Sequence, residues 1–339
     1  MKKVKVILYG VGVVGSNTVK MIVNKSWIEI VGAIDINEEK VGKDLGEVVG
    51  VGRRLGVIIS DEPETVFSNK KADVVLHSTS FTSTEETKVQ LLMAMESGAN
   101  VISTTDSKLS YPWVHWPELG RTIDEVAKKN GVTFLYTGIN PTFTMELMTL
   151  VTTGICASVK KIVMNRIVDV APYGEGVLKY LGIGRTTGGF YKGLVDGSVG
   201  GTIPLTAPQI DMVADTIGWQ LEQDRTAEPS ISKKAKMTSY GVVLEPGIVC
   251  GAKWVYHGMK GGEEVITFEF TQVMNAAEEG VETGNHISIL GHPNVEVFLK
   301  ESRADIANSA SLVNAIPQVI DAKPGLLTVK DLAIVTVLK

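Results

Sequence analysis

Apolar positions in the first 140 residues fall into short runs separated by stretches of helical spacing. Residues 4–9, Val-Lys-Val-Ile-Leu-Tyr, form the first run, and in Ser16–Val23 the apolar positions Val19, Ile22 and Val23 recur at helical spacing. Runs at 28–35, 56–59, 73–78, 100–103 and 132–136 predict further strands, and the periodicity of 84–96 and 117–129 predicts helices. Strand and helix in alternation predict a doubly wound parallel sheet with right-handed crossovers. A ligand of such a sheet belongs at the carboxyl ends of its strands.

The pattern changes after Asn140-Pro141. Residues 160–170 alternate as a half-buried strand, and 249–273 read as a hairpin turning at Lys260-Gly261-Gly262. His286–Leu290 and Val295–Leu299 flank a second turn at Gly291-His-Pro-Asn294. These runs predict a second α+β domain on an open, mixed or antiparallel sheet. The polar stretch Gln223–Lys236 reads as a loop. A last helix, 304–320, shows an apolar face of Ile306, Val313, Ile316 and Ile320 with a kink expected at Pro317.

Composition narrows the class. The chain has 339 residues, enough for about two domains, and 44% hydrophobic residues, enough for large cores. A net charge of −5 leaves no basic footprint for nucleic acid. No apolar stretch reaches the ~18 residues that span a bilayer. Lys2-Lys3 ahead of an apolar run resembles a signal peptide, but the run is broken by three glycines, so it reads as the first strand. Cys156 and Cys250 stand far apart in apolar surroundings and read as buried reduced thiols, which points to a cytoplasmic protein. The five histidines show no metal-ligand spacing.

The first run enters Gly10-x-Gly12-x-x-Gly15, and Asp35 follows twenty positions later at the end of the second run. In a dinucleotide-binding Rossmann fold the first glycine makes the tight turn, the second lets the backbone approach a pyrophosphate, and the third lets helix pack on strand. The helix N-terminus offers N–H groups and positive dipole to the phosphates. The bland alternative is a glycine-rich turn that binds nothing. Gly10, Gly12, Val13, Val14, Gly15, Asp35 and Asn37 are therefore the expected nucleotide contacts, with NAD or NADP as cofactor. Asp35 suits the ribose hydroxyls, and Asn37, Lys40 and the Arg53-Arg54 pair are near enough in sequence to meet a 2′-phosphate.

Three more segments end at the same sheet edge. Ser78, Thr79 and Ser80 follow one strand, Thr104 and Asp106 another, and Asn140 a third, and small hydroxyl residues there either contact the cofactor or simply form turns. Asp106 is the acid best placed to hold an ammonium and exchange its proton as hydride leaves the neighbouring carbon. A turn-forming Asp is the alternative. Lys108 is a rival able to polarise a carbonyl, and Glu146 reads chiefly as a helix-dipole partner, with contact to substrate as its alternative.

The stretches Leu8–Gly15, Asn100–Ser103, Leu109–Pro112, Pro117–Leu119, Thr137–Pro141, Met212–Trp219, Val313–Pro317 and Pro324–Thr328 resemble the 2,4-diaminopentanoate dehydrogenase family and its relatives, the native amine dehydrogenases, over essentially the whole chain. The resemblance implies a Rossmann domain at 1–140, a dihydrodipicolinate-reductase-like substrate-binding and dimerisation domain at 141–303, and a helix and tail at 304–339 that return to the first. It implies a homodimer and NAD(P)-dependent oxidative deamination of an amine not α to the carboxylate, reversible as amination of the matching ketone or aldehyde with ammonia. The family's catalytic glutamate lies in a segment commonly reading Ser-x-x-Glu-Glu. This chain has Thr105-Asp106-Ser107-Lys108 there, one residue longer, so the role passes by position to Asp106. Thr142 replaces a frequent glycine, and Gly200-Gly201-Thr202 stands where relatives often have Gly-His-Val. By the same alignment Phe143, Met145, Arg166 and Tyr173 fall in the substrate pocket, Arg166 facing a substrate carboxylate or else paired with Asp169 or another protein acid. Two other functions remain in view: an imine or aldehyde reductase, weakened because the adjacent histidines with a nearby lysine are absent, and a non-catalytic nucleotide sensor, favoured only by the altered 104–108 loop.

Overall fold

A computed structural model describes residues 3–200, 203–301, 303–333 and 335–337. Gly201 and Thr202, part of the departure noted above, and Lys2 lie outside the described residues. The chain divides into two units, residues 1–143 with 303–339, and residues 144–302. Among the described residues no helix is long and apolar enough to cross a membrane.

The first unit runs β1 (Val4–Tyr9), α1 (Val13–Ile22), β2 (Ile28–Ile34), α2 (Leu45–Val49), β3 (Ile59–Ser60), α3 (Pro63–Asn69), β4 (Val74–His77), α4 (Thr84–Glu96), β5 (Asn100–Ser103), α5 (Pro117–Asn130) and β6 (Thr133–Tyr136). In the second unit a π-turn at Phe143–Leu147 leads into α6 (Met148–Thr153), then β7 (Ser158–Asp169), α7 (Glu175–Tyr180), α8 (Thr187–Asp196), α9 (Ile203–Thr216), β8 (Glu222–Ile231), β9 (Lys236–Met237), β10 (Val243–Leu244), β11 (Val249–Lys260), β12 (Glu263–Val273), β13 (Gly284–His292) and β14 (Val295–Lys300). The chain then adds α10 (Ala304–Asn314), α11 (Ile316–Asp321) and β15 (Gly325–Leu327) to the first unit.

Seven parallel strands in the order β15-β6-β5-β4-β1-β2-β3 form the first sheet. Its two faces follow from the period of two along β1. Val6 and Leu8 pack with Val19 and Ile22 of α1 and with Leu312, Val313, Ile316 and Val319. Ile7 and Tyr9 pack with Leu91, Met95, Ile123 and Ala127 of α4 and α5. Strand order reverses between β1 and β4, so the loops after these strands border the crevice where doubly wound sheets bind ligands.

The second sheet is mixed, in the order β14-β13-β7-β12-β11-β8, with only β7 and β12 parallel. Ile162, Met164 and Val168 of β7 and Phe268 and Phe270 of β12 share a core with Leu178, Phe190, Ile210 and Val213 from the helices. The intervening positions Asn165 and Ile167 are half-buried on the other face.

Several sequence expectations need correction. Residues 222–231, expected as loop, are an edge strand paired antiparallel with β11. An edge strand buries little, and Pro229 is tolerated there, so polar composition concealed it. The expected single helix at 304–320 is two helices, with Pro317 in the first turn of α11, where the missing N–H costs nothing. Ile306 is 39% exposed, and Leu312, Ala315 and Val319 take its place on the buried face. The run at 56–59 forms a strand only at Ile59–Ser60. Cys250 is buried as expected, but Cys156 is only half-buried, and both are free thiols.

Candidate active site

The glycine turn between β1 and α1 is shaped by what surrounds it. Gly10 has φ +97°, and a Cβ there would meet the Ser78 carbonyl oxygen at 2.6 Å. A Cβ on Gly15 would overlap the Gly10 carbonyl oxygen, so helix and strand approach closely only because both are glycine. Gly12 differs: nothing lies within 4 Å of the position its Cβ would take. Open space over Gly12, beside the first-turn N–H groups of α1 and the exposed Val13, fits the pyrophosphate of a dinucleotide. Gly12, Val13 and Val14 would hold that group, while Gly10 and Gly15 shape the turn.

Asp35, directly after β2, bonds back to this turn. Its Oδ2 accepts from Val11 N at 2.8 Å and pairs with Lys40 Nζ at 3.2 Å. Oδ1 accepts from Asn37 N, and the Asn37 side chain in turn accepts from Glu39 N. Arg53 and Arg54 are engaged elsewhere, with the Val23 carbonyl and Glu47.

Across the switch point, Ser78 Oγ donates to the Gly10 carbonyl at 3.3 Å, tying the β4 loop to the glycine turn. Thr79 Oγ1 bonds Gln90, and its carbonyl accepts from Thr105 Oγ1 at 2.9 Å, tying the β4 loop to the β5 loop. Ser80 is exposed, and Thr104 N continues the ladder to the His77 carbonyl. Beneath these loops lies His77, fully buried, with Nδ1 2.9 Å from Ser103 Oγ and Nε2 2.9 Å from Gln90. Burial pulls its imidazole down to about 4, so it stays neutral while it ties the ends of β4 and β5 to α4. The sequence offered His77 only as one scattered histidine; its position as the last residue of a central strand was the available signal.

Asp106 starts the 3₁₀ turn that follows β5, in the left-handed region at φ 63°. Its Oδ1 accepts from Lys108 N at 3.2 Å, which is the turn-forming role. Its Oδ2 is buried and meets no hydrogen-bond partner among the described residues. One oxygen builds the turn and the other is left over, an arrangement a turn alone does not require. Lys108 is occupied: its Nζ donates to Thr84 Oγ1 at 2.5 Å and lies over the Trp116 ring at 5.8 Å. Asn140 is half-buried before the cis Asn140-Pro141 bond, and Phe143 is 45% exposed.

The second unit holds its own polar cluster. Arg166 on β7 is buried, stacks over Phe270 at 5.9 Å, donates from Nη1 to Asn285 Oδ1, and pairs through Nη2 with Glu301 at 3.4 Å. Its acid partner is therefore Glu301 rather than Asp169, which accepts from the amides of Ala171, Asn275 and Ala276. Glu146, in the π-turn, is fully buried, and among the described residues its oxygens face only the backbone amides of its own turn, with no side-chain partner. Burial pushes its carboxyl up to about 8, against the pull of nearby backbone amides and the Arg166 charge. The two backbone amides of the turn favour its charged form, as a helix-dipole partner requires, but burial outweighs them. Tyr173 is 40% exposed, whereas Met145 is wholly buried in the unit core and packs there instead of lining a surface.

A doubly wound parallel sheet with a glycine turn open for pyrophosphate and an unsatisfied acid at the same sheet edge defines a nicotinamide-dependent oxidoreductase. Residues 143–339 match the family described as 2,4-diaminopentanoate dehydrogenase C-terminal domain, and residues 4–110 match the N-terminus of dihydrodipicolinate reductase. The chain is 36% identical to 2,4-diaminopentanoate dehydrogenase of Acetoanaerobium sticklandii, covering 98% of this chain and 94% of that one. An amine dehydrogenase of Streptomyces virginiae is 23% identical over 97% of this chain and 96% of its own. The amine dehydrogenase structure from Mycobacterium smegmatis superposes with a TM-score of 0.82 at 26% identity, covering 98% of this chain and 97% of that one. The chain belongs to the 2,4-diaminopentanoate dehydrogenase family and is an oxidoreductase acting on amine donors.

Proposed function

We propose that the chain catalyses the reversible oxidative deamination of a non-α amine, of the 2,4-diaminopentanoate kind, with NAD or NADP as hydride acceptor. The balance is one ammonium substrate, one oxidised nucleotide and one water giving a ketone or aldehyde, ammonium, reduced nucleotide and one proton. The nicotinamide, when bound, supplies the hydride acceptor. Asp106 takes the proton from the substrate ammonium, and then orients the water that attacks the iminium carbon. In the reverse direction the same carboxylate holds ammonia. The reading rests on the buried, unpartnered Oδ2 of Asp106 at the carboxyl end of β5. Ser78, Thr79, Ser80, Thr104 and Asn140 are assigned to the cofactor, and Phe143, Arg166 and Tyr173 to the substrate. Because Arg166 already faces Glu301, it contributes a neutralised pair and not a bare cation.

We further read the protein as a cytoplasmic homodimer joined through residues 144–302. Within β12 the stretch Val265–Phe270 spends its apolar side chains on its own core, with Ile266 and Phe268 fully buried. Among the described residues the most exposed large apolar side chains of this sheet are Leu290 and Phe298, at 49% and 54%.

Incubation of the purified protein with NAD⁺ or NADP⁺ and 2,4-diaminopentanoate or a short aliphatic amine tests the activity. Amine-dependent absorbance at 340 nm, reversed by ketone and ammonia, is expected. Tight nucleotide binding without amine turnover would instead make the chain a nucleotide sensor, and turnover of cyclic imines alone would make it a reductase.

A further inference from the structure

Asp35 is more fully occupied than a ribose ligand needs to be. A carboxylate oxygen has about two acceptor sites. Oδ2 fills both, with Val11 N at 2.8 Å and Lys40 Nζ at 3.2 Å, while Oδ1 uses one on Asn37 N at 2.9 Å. Among the described residues one site therefore remains, enough for a single ribose hydroxyl and not for the pair. The ammonium has three donors; one goes to Asp35 and one to the Val11 carbonyl at 2.9 Å. Lys40 is thus pinned between the acid and the glycine turn, with its side chain 25% exposed and, among the described residues, one N–H to spare.

A bare carboxylate at the end of this strand would repel a 2′-phosphate, and dinucleotide folds that take NADP carry a cation near that position. Here the cation is already bonded to the acid. The arginines that sequence proximity also suggested are turned to Val23 and Glu47. We propose that Lys40 is the residue that admits NADP(H) beside NAD(H), neutralising Asp35 and donating its remaining N–H to the 2′-phosphate; the inference rests on the dinucleotide site proposed above.

Fluorescence titration of NADH and NADPH into the substrate-free protein, its Lys40→Gln variant and its Lys40→Arg variant tests this. Wild type is expected to bind both nucleotides. Lys40→Gln should raise the ratio of the NADPH Kd to the NADH Kd about tenfold or more, the scale of one charge-assisted bond. Lys40→Arg, which keeps the charge, should hold the ratio within about threefold. An unchanged ratio in Lys40→Gln, or equal weakening of both nucleotides, would overturn the proposal, the latter showing that Lys40 only props the glycine turn. Wild type binding NADH alone would overturn it as well. If wild type bound neither nucleotide, the dinucleotide site itself would be wrong, a separate outcome. Thermal melting of each variant checks that the fold persists.

Discussion

At the scale of single residues, Asp106 and Glu146 are two buried carboxyls with opposite consequences. Asp106 sits at φ 63°, a conformation that Asn adopts as readily as Asp, so Asp106→Asn keeps the turn and changes only the carboxylate. Turnover of the amine should fall by roughly 10²–10⁴-fold while NADH affinity stays close to wild type. Near wild-type turnover would assign Asp106 to structure alone. Glu146 is held up at about 8 from an ordinary 4.5. Between these values the unfolded chain releases the proton and the folded chain keeps it, so this group lowers stability as pH rises through the window, by at most about 1.4 kcal/mol per pH unit. Urea unfolding at pH 5 and pH 8 should show Glu146→Gln gaining stability over wild type as pH rises. A gap that does not change with pH would show that Glu146 titrates normally.

At the scale of elements, the β1–α1 junction separates glycines needed for folding from one needed for a ligand. Gly15→Ala drives a methyl into the Gly10 carbonyl, and overpacking of this kind costs about 1–3 kcal/mol, so the melting temperature should drop by several degrees. Gly12→Ala meets only open space, and should melt within about a degree or two of wild type while losing most of its affinity for NADH. Calorimetry and nucleotide titration on the two variants read this contrast. If Gly12→Ala bound NADH normally, the pyrophosphate would have to lie elsewhere. The loops after β4 and β5 depend on a different device, the Ser103–His77–Gln90 chain, in which one neutral imidazole bridges two strands and a helix.

At the scale of the whole molecule, assembly is the open quantity. A homodimer should scatter light as twice the 36.4 kDa chain, and Phe298→Asp, which places a charge on the outward face of β14, should shift it toward monomer. A wild-type monomer at micromolar concentration would remove the dimer and the outward face as its interface.

The alternation of strand and helix through residue 140, the hairpin at 249–273 and the glycine turn were all legible in the sequence, because each is a local pattern of apolar spacing and turn chemistry. Short or exposed elements were not. The strand at 222–231 is polar and lies at an edge, and Gly325–Leu327 is too brief to show a period. Site residues divide in the same way. Asp106 could be placed by its distance from Ser103, but its unpartnered Oδ2 and the burial of Glu146 depend on how the elements pack, and the pairing of Lys40 with Asp35 and of Arg166 with Glu301 joins residues 5 and 135 positions apart. Such pairings are decided by how strands register and how helices cover them, and only the tertiary structure carries that information.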